Sequence, residues 1–427
     1  MDRAPASTVR TLAEWLELQE AVHAKSIDLD LARVGAVADR LALRPVPYRV
    51  ITVGGTNGKG STVAHLTALL AALGVRTGAF TSPHLLRYNE RIRVDGEEAG
   101  DAELIAAFER IEAARDATTL TFFEYNTLAA LLIFAARAVE AAVLEVGLGG
   151  RLDATNLIDA DVAVLASVGM DHRDFLGDDL QSIGREKAGI FRAGRPAVLG
   201  SAQMPGSVFA AIAATGARAL IAGRDFTWRI DDGLWSYRGV RQQFAQLPPS
   251  ALAGGVQYQN AATAIAALEA LALPRALDRA LISRALTHVQ LAGRFQILPG
   301  PVEWILDVAH NEPAARVLAS HLAERACAGR TFAVAGILRD KDVAGIGRAL
   351  RRQIDCWVVC TLPGPRGSQA AELADRLGPI SPASLLQADS VADGCALARA
   401  QAQPGDRVVV FGSFLVVGSA LQSLGLY

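Results

Sequence analysis

Short apolar, β-branched runs alternate along the chain with alanine- and leucine-rich stretches of helical period. Runs at 49–53, 77–81, 142–146 and 162–168 read as buried strands, and segments 60–73, 101–115, 124–139 and 180–188 as helices. Such βαβ repetition builds a mostly parallel sheet covered on both faces, so the expected class is α/β. From about 218 to 247 the helical period fades into short segments carrying Trp228, Trp235, Tyr237 and Phe244, which reads as an antiparallel addition. Two helices, roughly 257–272 and 274–287, follow. After Leu291 a fresh alternation begins, with strands at 302–308, 331–335, 356–361 and 407–411 at the spacing of a second, Rossmann-like sheet. The expected organisation is an N-terminal doubly wound domain over 1–290 and a smaller α/β domain over 291–427, divided near 288–293. No internal repeat of solenoid length interrupts this pattern.

Composition narrows the function classes. A chain of 427 residues exceeds one ordinary core, and 51% hydrophobic with 20% charged residues is the balance of packed domains, not of disorder. Lys and Arg number 42 against 44 Asp and Glu, so no global field draws the protein to nucleic acid or to an anionic membrane. Any anionic substrate must be held by a local site. Cys327, Cys356, Cys360 and Cys395 form no CxxC pair, which signals neither a disulfide framework nor zinc and fits a reducing cytoplasm. Asp2, Arg3, Arg10 and Glu14 break up the first fifteen residues, so no secretory leader is expected. Residues 408–427 carry no charge, but Gly412, Ser413, Gly418 and Ser419 interrupt them, so a buried strand and a helix are expected instead of a membrane span. A cytoplasmic monomer without nucleic-acid or membrane partners is the expectation.

The sharpest chemical signal is Gly55-Thr-Asn-Gly-Lys-Gly-Ser61, which follows the apolar run ending at Val53 and opens a helix near Gly60. Strand, glycine-rich loop and helix in that order make a phosphate cradle. Glycines let backbone N–H groups approach phosphate oxygens, the helix N-terminus adds partial positive charge, Lys59 adds a full one, and Ser61 reaches a magnesium ion. The spacing departs from GxxxxGKS by the glycine between Lys59 and Ser61. Further polar groups fall at predicted carboxyl ends of parallel strands, where open α/β sheets place ligands. Glu145 leads into Gly147-Leu-Gly-Gly-Arg-Leu-Asp153, and Asp171 with His172 close the next strand. With Ser61 and Ser82 they offer hard oxygen and imidazole ligands suited to Mg2+ beside a triphosphate. Taken singly, Glu145 reads as a strand-end carboxylate and His172 as a loop histidine; their shared edge joins them.

Lys187, in Gly184-Arg-Glu-Lys-Ala-Gly-Ile190, reads by spacing alone as a solvated helix-face lysine. Arg294 in Gly293-Arg-Phe295, and Asp307, His310 and Asn311 in Asp307-Val-Ala-His-Asn311, gather where the second domain faces the cleft; a boundary arginine and a helix N-cap are the alternative. Gln257, Asn260, Gln296, His23 and Lys25 stay open on spacing, and Phe122 and Phe123 read as core aromatics.

Together these motifs resemble the folylpolyglutamate synthase/dihydrofolate synthase family, within the Mur-ligase type of ATP-dependent amide-forming enzymes. The resemblance is an ordered series: the 55–61 loop, Ser82-Pro-His-Leu85 with Glu90-Arg-Ile92, Thr121-Phe-Phe-Glu124, 145–156, Asp171-His172, 184–191, Gly293-Arg-Phe295, 307–311 and Gly412-Ser-Phe414. It spans about 23–414. It implies that Gly58, Lys59, Gly60, Ser61, Asn260, Arg294 and Asp307 contact ATP, and that Ser82, Glu145 and His172 ligate Mg2+. It also implies that Lys187 carries a carbamate, which displaces the helix-face reading; a neutral amine is required, through Arg185 or partial burial. His310 falls beside the amino-acid pocket. The implied pterin side is Asp28, Leu29, Thr121, Phe122, Phe123, Glu124, Leu152, Asp153 and Ala154, and the implied catalytic set is Lys59, His172 and Lys187.

The implied activity is ATP- and Mg2+-dependent addition of L-glutamate to dihydropteroate and to folate glutamate tails through an acyl phosphate. Both reactions are expected because Lys25-Ser-Ile-Asp-Leu29 with Thr121-Phe-Phe-Glu-Tyr125 resembles the bacterial bifunctional form. One departure is Phe414-Leu-Val-Val417, where family members commonly carry histidine and threonine after the phenylalanine; it bears on the C-terminal pocket. Competing readings are a single-activity member of the family, a Mur-type ligase for another amino acid, and an ATP-hydrolysing switch that needs no acceptor.

Overall fold

The computed structural model describes residues 10–25 and 27–426. Most of the leader reading, Ser26 of the Lys25–Leu29 motif and Tyr427 lie outside the described residues. The large sheet takes strands β1 (Arg49–Gly54), β2 (Thr77–Phe80), β3 (Ile92–Val94), β4 (Glu97–Glu98), β5 (Ala141–Glu145), β6 (Val162–Leu165), β7 (Pro196–Leu199) and β8 (Arg218–Ile221). Their order is β4-β3-β2-β5-β1-β6-β7-β8, parallel except for the β3 and β4 edge. β1 sits in the middle because its Val50-Ile-Thr-Val53 run is apolar or β-branched and buried on both faces. Alternate residues feed two layers: Val50, Ala142 and Leu144 pack with Trp15, Phe108 and Phe134, while Ile51, Val53 and Val143 pack with Leu66, Ile265 and Leu286.

An antiparallel meander of β9 (Thr227–Asp231), β10 (Leu234–Arg238) and β11 (Gln243–Leu247) follows. The antiparallel addition therefore begins later than its sequence suggested: 218–221 is the last parallel strand of the large sheet, because Ala219 and Leu220 pair with Ala197 and Val198. Helices Val256–Leu271 and Arg279–His288 lead to the second sheet, β12 (Gln296–Leu298), β13 (Glu303–Asp307), β14 (Thr331–Ala335), β15 (Cys356–Cys360), β16 (Ser384–Ala388) and β17 (Arg407–Phe411). Its order is β12-β13-β17-β14-β15-β16, parallel apart from β12. The uncharged tail forms β17 and the helix Phe414–Ser423, and among the described residues no helix is long and apolar enough to cross a membrane. Cys356, Cys360 and Cys395 are buried free thiols.

The carboxyl ends of β1, β5 and β6 and those of β13, β14 and β17 meet around one cavity of about 530 Å³. Leu85 and Leu86, in the segment before β3, pack on Val416 and Val417 of the second unit and close one side of it.

Candidate active site

The 55–61 loop leaves β1 and turns into the helix Lys59–Ala72. Gly58 caps that helix at φ 83°, and a Cβ there would stand 3.0 Å from Asn260 Oδ1, so backbone freedom and space both require glycine. The loop is pinned from behind: Asn57 N donates to Ser167 Oγ at 3.0 Å, and Gly169 N donates to Thr56 Oγ1 at 3.0 Å. Lys59 Nζ folds back to donate to Gly55 O at 3.1 Å and Thr56 O at 3.3 Å.

Lys187 reaches the same carbonyl from the helix Leu180–Ala188, donating to Gly55 O at 3.2 Å. Its side chain is buried, so it is not the solvated lysine that spacing suggests. Burial, and then the charge of Lys59, push its pKa down to about 7, against the opposing pull of Asp171 and Asp153. Arg185 is exposed on that helix, so burial and Lys59 supply the neutral amine instead.

Glu145 ends β5 inside the cavity, 4% exposed, and the one hydrogen bond to its carboxylate among the described residues is a 3.4 Å contact from Ser82 N. Burial raises its pKa, while Lys59, Arg294 and Arg91 pull it back. His172 lies seven residues past β6 with φ 50°, its pKa lowered to about 4 by burial and by the charges of Lys341, Lys187 and Lys59, with Asp171 opposing. No group of three or more His, Cys, Asp or Glu is arranged to chelate a metal among the described residues. A nearly unpartnered buried carboxylate, a hydroxyl at Ser82 and one imidazole suit Mg2+, which takes one or two carboxylates and fills its shell with water and phosphate.

From the other side, Arg294 stacks over Phe414 at 5.1 Å, beside Glu145 and Asp307. Asp307 gives both oxygens to backbone, accepting from Phe295 N and Ala309 N at 2.8 Å each, so its closest partners are amides of its own unit. Asn260 donates to Gln257 Oε1 at 3.0 Å and lines the cavity. His310 shares its Nδ1 proton with Val308 O at 2.9 Å and turns Nε2 toward Asp171 at 3.5 Å.

The two sheets are wired together at Asp171. Lys341 Nζ donates to Asp171 Oδ1 at 2.7 Å, Asn311 Nδ2 donates to Oδ2 at 2.9 Å, and Asn57 Nδ2 of the phosphate loop donates to Asn311 Oδ1 at 3.1 Å. Burial works against the Asp171 carboxylate, yet His310, His172 and Lys341 hold its pKa far below the usual range.

The residues expected on the pterin side lie outside the cavity walls. Asp28 and Glu124 are bridged by Arg33, at 2.9 and 3.2 Å, and Thr121 and Glu124 form the capping box of the helix Phe122–Ala136. Phe122 lies edge-on to Tyr88 with the Arg91 guanidinium 5.4 Å from its ring, and Phe123 packs on Phe80. Leu152 and Ala154 flank Asp153, whose buried carboxylate accepts from Gly147 N, Leu148 N, Thr155 N and Thr155 Oγ1; it braces the glycine loop.

Known proteins resemble this chain over nearly its whole length. A model of the Mur ligase middle domain matches residues 53–199, and one of the Mur ligase glutamate ligase domain matches 293–414. The dihydrofolate synthase/folylpolyglutamate synthase of Escherichia coli K12 is 43% identical over 96% of this chain and 95% of its own length. The chain belongs to the dihydrofolate synthase/folylpolyglutamate synthase family. As such it is an ATP-dependent ligase of the α/β Mur-ligase fold. The solved structure of E. coli FolC in complex with DHPP and ADP superposes with a TM-score of 0.93, 42% identity and 99% coverage of both chains. A bifunctional folylpolyglutamate synthase/dihydrofolate synthase solved with Mn, AMPPNP and L-glutamate bound gives a TM-score of 0.90 at 42% identity, covering 99% of this chain and 100% of its own.

Against that family background, several cavity residues escape sequence reasoning. Arg91 is buried, donates to His84 Nδ1 at 2.8 Å and faces Glu145. Lys341 stands in Asp340-Lys-Asp342, a charged triplet just past β14, and its place after a parallel strand was the available signal. At the departure from the family pattern, Val416 and Val417 are buried, whereas Leu415 is half-exposed in the cavity wall.

Proposed function

We propose that this chain joins L-glutamate to dihydropteroate and extends folate glutamate tails, using ATP and Mg2+, with the cavity residues in the roles that follow. The observation that carries this reading is the convergence of Lys59, Lys187 and Glu145 on one phosphate loop, opposite Arg294, Asp307 and His310 of the second unit. The loop amides, Gly58, Gly60 and Ser61, with Lys59, bind the phosphates, and Asn260, Arg294 and Asp307 line the nucleotide path. Ser82, Glu145 and His172 would hold Mg2+, which would supply neutralising charge at the transferring phosphoryl group. The neutral form of Lys187, made available by a pKa lowered to about 7, adds its nitrogen to carbon dioxide, loses a proton, and becomes a carbamate.

The acceptor carboxylate attacks the γ-phosphorus, ADP leaves, and an acyl phosphate forms. Lys59 and Arg294 stabilise the developing charge. The α-amine of glutamate, entering beside His310, attacks the acyl carbon; the tetrahedral intermediate collapses to amide and phosphate. The pterin-side cluster of Asp28, Leu29, Thr121, Phe122, Phe123, Glu124, Leu152, Asp153 and Ala154 is proposed to receive the ring. The proposal also divides the chain near residue 290, so that closing 291–427 over 1–290 keeps water from the acyl phosphate. Incubation with ATP, Mg2+, dihydropteroate and L-glutamate tests it. ADP and dihydrofolate should form in equal amounts, and ADP formed at the same rate without a pterin acceptor would establish the switch reading instead.

A further inference from the structure

Behind the phosphate loop, outside the cavity walls, stands a histidine that the chemistry above does not use. His65 is 1% exposed on the helix Lys59–Ala72, whose other buried positions include Val63, Leu66 and Leu69. An aliphatic side chain would fill such a place without the cost of burying polar atoms, so the imidazole must be offset by what it binds. Its two hydrogen bonds have a fixed sense. Nδ1 lies 2.7 Å from Ser61 O, and a carbonyl only accepts, so Nδ1 carries the proton. Nε2 is left as an acceptor, and Ser250 Oγ donates to it at 2.9 Å. Leu252 N donates in turn to Ser250 Oγ at 3.1 Å, so the donors run in one direction from Leu252 through the ring to Ser61. Burial lowers the His65 pKa to about 4, against the bond to Ser61, which keeps the ring neutral at pH 7 and this chain intact.

The far end of the chain is a fixed wall. Trp235 Nε1 of β10 donates to Pro248 O at 2.7 Å, and Ala251 N donates to Leu286 O of the helix Arg279–His288 at 2.8 Å. Trp235 and Leu286 are both buried, so the segment around Ser250 is anchored to the core on two sides. The near end is Ser61, the last residue of the phosphate loop and part of the first turn of its helix. Ser167 and Gly169 hold the start of that loop; His65 holds its end. A phosphate binds more tightly to amides and a hydroxyl that already stand in place, because ordering them on binding costs affinity.

Resting on the ligase reading, we propose that His65 is a positioning residue for the nucleotide phosphates: it ties the first turn of the phosphate-binding helix to Ser250 and so holds Ser61 ready for its ligand. The test uses the full chain, calorimetric titration with ADP, and KM for each substrate. His65→Leu and Ser250→Ala should each weaken ADP binding by on the order of fivefold, the contribution of a single neutral hydrogen bond. The double variant should bind no more weakly than His65→Leu alone, since both changes remove one link. His65→Gln, whose Oε1 can accept from Ser250 Oγ, should recover part of the loss. KM for ATP should rise with the ADP Kd, while KM for dihydropteroate and for L-glutamate stays at the wild-type value. A lower Tm with ADP affinity and KM for ATP unchanged would show a merely structural role and overturn the inference, as would losses that add in the double variant. Should His65→Leu fail to fold, Ser250→Ala decides it alone. A wild-type chain that binds no ADP would overturn the ligase reading beneath it.

Discussion

At the scale of single residues, the proposed chemistry turns on Lys187. Burial, and then the charge of Lys59 on the same Gly55 carbonyl, lowers the Lys187 pKa to about 7. Carbamylation requires the neutral amine, which dominates above about pH 7 and vanishes below it. Removing bicarbonate should therefore slow the wild type, and activity should fall on acidification through pH 7 in step with loss of the carbamate signal in 13C spectra. Lys187→Ala should lose activity by at least about 100-fold and regain part of it with short carboxylates. Sequence carried much of this scale: the loop glycines, Lys59 and Glu145 stand at strand ends, where spacing reveals them, and His172 stands in the loop that follows β6, which ends at Leu165, three residues earlier than its sequence suggested. Spacing placed Lys187 on a solvated face, because a helical repeat says which residues share a face and not what covers it. Lys341 was silent for a different reason. Its partner Asp171 is 170 residues away, and no local pattern records a contact between two sheets.

At the scale of elements, the site depends on the turn that joins β1 to the helix Lys59–Ala72. Gly58→Ala places a side chain at φ 83° and 3.0 Å from Asn260 Oδ1, so strain and displacement of Asn260 add. A loss of about 1–3 kcal/mol in ADP binding is expected, read by titration, with a smaller change in Tm. The central strands were legible because parallel strands buried on both faces are continuous apolar runs. Edge and outer strands were harder. β3 and β4 are too short to carry a period, and β8 carries Arg218 at its exposed start, so 218–221 read as part of the antiparallel meander. The first two helices, Leu12–Val22 and Leu31–Arg40, were not read; charged positions blur the apolar stripe of the first, whereas Val34, Val37 and Ala38 of the second do share one buried face.

At the scale of the whole molecule, the cleft is closed by a few contacts with different physics. Leu85 and Leu86 contribute apolar burial against Val416 and Val417, and the Asp171–Lys341 pair, 8% and 6% exposed, contributes a desolvated charge. Removing one partner leaves the other charge buried, so Lys341→Met should cost about 3 kcal/mol of closed-state stability, seen as an expanded small-angle scattering profile with nucleotide bound. A profile unchanged from wild type would show that the apolar contacts alone hold the units together. Closure matters because the proposed acyl phosphate would be destroyed by water. Isotope transfer tests that route most directly: dihydropteroate labelled with 18O in its carboxylate is turned over with ATP and L-glutamate, and the released phosphate is analysed by mass. Phosphate carrying one 18O per dihydrofolate formed is the predicted result; unlabelled phosphate accompanying dihydrofolate formation would contradict the account.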